Sequence, residues 1–168
     1  MKQHALPPLV AGFSDGNVTW QKIEAIDYDT LGYLLSCHLI IEHYLDNYLS
    51  THPGAKFNWG AARLSFSQKI TLIAGLDFPD KYNFPPLIKH LNSVRNRFGH
   101  NINAKLTDED LLPIRNFLEK CIGSKASDTL PSDAKEILGL FTTLVCAYFA
   151  SAISYSAGNR SVPKDVIG

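Results

Sequence analysis

The chain is short of charge. Only 19% of its 168 residues are Asp, Glu, Lys or Arg, and sixteen Lys+Arg balance sixteen Asp+Glu. A neutral molecule of this kind is no general electrostatic binder of nucleic acid, so any anion site must be local. Cysteine is scarce as well. Cys37, Cys121 and Cys146 stand far apart with no C-x-x-C, which excludes a disulfide framework and a zinc ribbon. They read as reduced, buried thiols of a cytoplasmic protein. There is no G-x-G-x-x-G, no Walker pattern and no H-E-x-x-H, so neither a cofactor nor a metal is expected. Internal repeats and low-complexity segments are absent. Near the N-terminus, Pro7 and Pro8 interrupt an apolar run already too short for a secretory signal.

Apolar residues are plentiful, at 45% of the chain. A chain of this length buries roughly 70% of the surface its unfolded form exposes, enough for a core without staples. The patterning predicts an all-α, single-domain bundle of about five helices. Residues 1–26 read as an irregular segment with turn signals at Ser14-Asp15-Gly16-Asn17 and with Val18, Trp20, Ile23 and Ile26 along the outside of the core. The helical domain is expected over 27–158 and a tail over 159–168.

Helix one should run from Asp27 to Ser50, capped by Asp27 or Asp29 and stopped by His52-Pro53-Gly54. A loop carrying Phe57 and Trp59 follows. Helix two starts at a capping box of Ser65 and Gln68. Helix three follows Pro85-Pro86, whose missing amide donors suit a first turn. Helix four opens at Thr107 with three carboxylates in its first turn, carries Pro113, turns Leu111, Ile114, Leu118 and Cys121 inward, and stops at Gly123. Helix five follows Pro131-Ser132.

That last helix holds a 22-residue stretch, Ile137 to Gly158, without a charge. Its length satisfies the rule for a membrane span. Thr142, Thr143, Ser151, Ser154, Tyr155 and Ser156 dilute it, however, and the favoured reading is a helix buried on most sides or at a dimer interface, with no membrane.

Chemistry concentrates in Leu91–Asn101, LNSVRNRFGHN. On a helical wheel Leu87, Leu91, Val94 and Phe98 form one apolar seam. Lys89, Ser93, Asn96 and His100 step along nearly the opposite side, with Arg95 between the stripes. If the helix continues through Gly99, Asn96 and His100 are i,i+4 neighbours; if Gly99 ends it, His100 lies just beyond. An imidazole suits proton transfer near neutrality and a guanidinium suits a phosphate. On helix one, His38 and Glu42 share a face beside Cys37 and His43, a polar spot suited to supporting another site rather than to holding a metal.

The run Arg95-Asn96-Arg97-Phe98-Gly99-His100 resembles the R-x4-H signature of the HEPN superfamily, in which a polar residue commonly follows the Arg. Leu34–Leu49 is similar to that family's long first helix, with Glu42 as its embedded acid, and Ser65–Leu76 to its second. The likeness spans roughly 28–122 and is greatest to bacterial HEPN-like proteins. It implies a homodimer in which two motifs meet across a cleft and cleave RNA without metal, as toxins of toxin–antitoxin pairs and defence effectors do. Arg95, Asn96 and His100 would then be catalytic. Lys89, Arg97, Asn101 and Lys105 would bind RNA or a partner, and His38 and Glu42 would support them. Members similar to the mannitol-operon repressor act instead by binding proteins, so an antitoxin or regulatory partner is the alternative. Gly99 departs from the pattern, because a small helix former is common there.

Overall fold

A computed structural model describes residues 10–20, 27–51, 62–101, 104–122 and 130–160. They form a mostly all-α bundle of five helices with a small hairpin at its N-terminal side. The helices are α1 (Tyr28–Thr51), α2 (Phe66–Ala74), α3 (Pro85–His100), α4 (Asp108–Ile122) and α5 (Ala134–Arg160), with a 3-10 turn at Asp80–Tyr82.

Four of the five starts are set by a local polar contact, and α3 starts on Pro85-Pro86 with no side-chain cap. The Thr30 amide donates to Asp27 Oδ1 at 3.0 Å, so Asp27 rather than Asp29 caps α1. The Ser65–Gln68 box forms in both directions. Asp110 closes the start of α4 reciprocally. Its carboxylate accepts from the Thr107 amide at 2.9 Å, and its own amide donates to Thr107 Oγ1 at 3.3 Å. Asp133, not the Pro131-Ser132 pair before it, receives the Lys135 and Glu136 amides at the head of α5. Pro113 lies inside α4 without delaying it. The expected stops at His52-Pro53-Gly54 and Gly123, the loop with Phe57 and Trp59, and Ile23 and Ile26 lie outside the described residues.

The N-terminal segment corrects the sequence reading. Val10–Ser14 and Asn17–Trp20 pair as an antiparallel hairpin, with Ser14 opposite Asn17. Asp15 (φ 50°) and Gly16 (φ 80°) both take positive φ, as the tight turn of a two-residue hairpin requires. The turn signal was legible, but the strands are too short and mixed to show a period of two. Val18 and Trp20 do not line the core; with Phe13 they stand exposed.

α1 and α5 pack along most of their length. Leu34, Cys37, Ile41 and Leu45 of α1, with Ile137, Phe141, Val145 and Phe149 of α5, belong to the buried core. A Cβ at Gly139 would fall 2.6 Å from Tyr33 Oη, the far end of an exposed side chain that can swing aside. A salt bridge from Lys135 to Asp29 ties the two helix starts together. By length and composition α5 could cross a bilayer, with a mean hydropathy of 1.9 over its apolar window. It is not buried on most sides. One face packs on the bundle, whereas Leu140, Thr143, Ala147 and Ser151 are exposed. Cys37 and Cys146 are buried and Cys121 half-buried, all as free thiols. Burial pushes the Cys146 thiol up to about 11, so it stays protonated and unreactive at neutral pH.

α3 lies between α1 and α2 on one side and α4 on the other. Pro85, Ile88, Leu91, Val94 and Phe98 are its buried residues. Leu87, expected in the seam, is half-buried, and Ile88 takes its place. Three further faces of α3 remain, and each has a different use.

Candidate functional site

The helix does not break at Gly99. α3 runs on to His100, and the Asn101 amide closes it by donating to Arg97 O at 3.0 Å. A backbone that reaches Asn101 in helical register places Asn96 and His100 one turn apart on one face. Lys89, Ser93 and His100 are exposed along it, and Asn96 is half-buried at its edge. Arg95 Nη1 donates to Asn96 Oδ1 at 3.1 Å, so the guanidinium and the amide form one unit. The sequence expectation that a cation, an amide and an imidazole lie within a turn or two therefore holds in space, with the imidazole at the solvent end.

The face toward α4 is committed to structure. Arg97 was expected to meet RNA or a partner. In the structure its Nη1 and Nη2 donate to Asp110 Oδ1 and Oδ2 at 2.7 and 2.5 Å, and Nη2 also donates to Lys105 O. This is the bidentate geometry that makes an Arg–carboxylate pair strong. The Arg97 bond and those from Thr107 outweigh burial and hold the Asp110 carboxyl down at about 2. His90 Nε2 lies 2.8 Å from Asp110 O and fastens the same corner. Lys105 itself is exposed, as is Asn101.

The third face meets α1 and α2. His38 of α1 is buried, with its ring 4.1 Å from that of Phe66. Its Nε2 is 3.2 Å from Asn92 Oδ1 on α3. Burial is the main influence on His38 and lowers its pKa. The Asn92 bond and Glu42 work the other way, while Arg95 and Lys69 lower it further. Glu42 does not reach the motif. It accepts from Lys69 Nζ at 2.8 Å, and Lys69 also pairs with Asp46. Burial pulls the Lys69 ammonium down, but its bonds to Asp46 and Glu42 outweigh that and hold it above its ordinary value. His43 turns away to Asn47. Among the described residues no three His, Cys, Asp or Glu side chains converge as metal ligands.

Among the described residues, two buried polar atoms find no hydrogen-bond partner, His38 Nδ1 and Arg95 Nε. Buried donors and acceptors are nearly always satisfied, so their joint presence beside the motif marks the place as unusual.

Sequence reasoning located Arg95, Asn96, His100 and His38 and missed Asn92, Lys69, His90 and Asp110. Asp110 had a signal, since Thr107-x-x-Asp110 has the spacing of a capping box. The others owe their roles to cross-helix contacts that no spacing reveals. No family model, no curated protein and no solved structure matches the chain.

Proposed function

We propose that the chain is a dimeric, HEPN-like endoribonuclease that needs no metal and acts through Arg95, Asn96 and His100. The observation that carries this reading is the unbroken helix through Gly99. It keeps His100 one turn from Asn96, whose amide holds the Arg95 guanidinium. His100 takes the proton of a ribose 2′-hydroxyl, and the freed oxygen attacks the adjacent phosphorus. Arg95 stabilises the charge that develops on the phosphoryl oxygens. The bond to the 5′-oxygen breaks and water protonates the leaving group, giving a 2′,3′-cyclic phosphate and a 5′-hydroxyl. A second copy would complete the cleft. Support for pairing comes from the exposed, uncharged stripe Leu140, Thr143, Ala147 and Ser151 on α5 and from Leu39 and Ile40 on α1.

The rival is a non-catalytic module that docks a regulatory protein. One observation favours it: with Arg97 engaged by Asp110, the described cations expected to serve the motif reduce to Lys89, Arg95 and Lys105, few for holding RNA.

Cleavage of labelled RNA in the presence of EDTA decides between them. His100→Ala and Arg95→Ala should each lower the rate by at least roughly 10²-fold while the dimer persists. Wild-type protein that cuts no RNA, with a dimer weakened by His100→Ala, would leave the docking module instead.

A further inference from the structure

We infer that His38 is a positioning residue for the Arg95 guanidinium, held as the neutral imidazole with its proton on Nε2. The inference depends on the nuclease reading only for its effect on catalysis; the coupling of the two side chains stands apart from it.

The geometry fixes the tautomer first. Asn92 Oδ1 can only accept, so the nitrogen 3.2 Å away, Nε2, is the donor. Nδ1 is then a bare lone pair. It is one of the two unpartnered buried atoms, and the other, Arg95 Nε, is a donor. The two needs are complementary, although no hydrogen bond joins the two atoms. Asn92 and Arg95 lie three residues apart on α3 and so share a face of the helix, and Arg95 is among the charged groups that act on the His38 ring.

The surroundings keep the ring neutral. His38 is 96% buried and lies against Phe66. The charged groups that face it are Glu42 from its own helix, Lys69 from α2 and Arg95 from α3. Two of the three are cations, and the one carboxylate is already bonded to Lys69. A proton on Nδ1 would add a third cation, remove the lone pair and set a positive donor against the Arg95 guanidinium. Arg95 would be driven from the pose in which Nη1 holds Asn96. A neutral His38 therefore keeps the guanidinium aimed, and a protonated His38 releases it. His38 never meets substrate, because its Nδ1 has no exposed surface.

The test is NMR on the intact protein, followed by kinetics. Imidazole 15N shifts report the His38 tautomer. The Arg95 Nε–H resonance, assigned with Arg95→Lys, reports the guanidinium. On acidification the Arg95 resonance should move with the midpoint of His38. In His38→Gln, whose amide nitrogen can still donate to Asn92 but does not titrate in this range, that movement should vanish. His38→Leu packs on Phe66 without the donor. It should lower kcat roughly 10- to 100-fold, the scale for a group displaced by about an ångström, while His38→Gln stays close to wild type. Circular dichroism on both variants separates loss of fold from loss of aim. An Nδ1–H tautomer, or an Arg95 resonance that ignores the His38 titration, would overturn the inference. So would equal kcat values for His38→Leu and His38→Gln. Wild-type protein without RNA cleavage would remove the nuclease reading alone, and the two resonances would still decide the coupling.

Discussion

Two arginines two residues apart on one helix meet opposite fates. Arg97 faces α4, where Asp110, Lys105 O and the Thr107 cap satisfy the whole cluster. Arg95 faces α1 and α2, where its Nη1 has Asn96 but its Nε and the neighbouring His38 Nδ1 have no partner. A closed polar network fixes the geometry of a corner. An open one leaves hydrogen-bonding capacity beside an exposed histidine. The same residue type thus closes a polar network on one face and leaves one open on the next, a difference set by a rotation of about 200° around the helix axis.

The apolar seam beneath both clusters gives the largest test. Phe98 is 7% exposed, and Phe98→Ala should destabilise the fold by about 3–5 kcal/mol in chemical denaturation. A loss below about 1 kcal/mol would mean that α3 is not anchored by this seam. The arginines come next. Arg97→Ala leaves the Asp110 carboxylate buried without its cation and should cost about 1–3 kcal/mol. Arg95→Ala should cost under about 1 kcal/mol, because it removes a group that was never fully satisfied. Equal costs from the two substitutions would erase the distinction drawn between the faces.

Acid should separate the clusters by pH window. Burial lowers the His38 pKa, so the unfolded chain binds the proton more readily. Its contribution is complete above about 6.5, the unfolded value, and is lost as pH falls through the lower folded value. Asp110 is held at about 2 against an ordinary 3.8. Its contribution persists to about pH 4 and then fades toward pH 2, by about 1–2 kcal/mol after allowing for the exposed side of Arg97. Denaturation midpoints against pH should show both steps; His38→Gln should delete the upper and Asp110→Asn the lower. The smallest effect is expected at Lys69. Lys69→Met should cost under about 1 kcal/mol, because Asp46 is half-exposed, and should raise the His38 titration midpoint by removing a nearby cation. An unmoved midpoint would show that Lys69 does not act on His38.

Most helix starts were legible because they rest on contacts within a few residues. The Ser65–Gln68 box, Asp27 ahead of α1 and Pro85 at the head of α3 are all local chemistry. The seam of α3 followed from its period, apart from the exchange of Leu87 for Ile88. The hairpin was not legible beyond its Asp15-Gly16 turn, because strands of five and four residues give alternation too little length. The site was half legible. Residue types and spacing singled out Arg95, Asn96 and His100, but they did not show that Arg97 pairs with Asp110 or Glu42 with Lys69.

What the sequence determined by itself is therefore the set of helices and the order of polar and apolar faces on α3. Both follow from propensity, capping and the 3.6-residue period, which act within one segment. The tertiary structure alone decided which polar residues are satisfied. Asp110 is thirteen residues from Arg97, Lys69 twenty-seven from Glu42, and Asn92 fifty-four from His38. Such pairs form only once the helices pack, and the leftover atoms, His38 Nδ1 and Arg95 Nε, exist as a feature only after every other partner has been assigned.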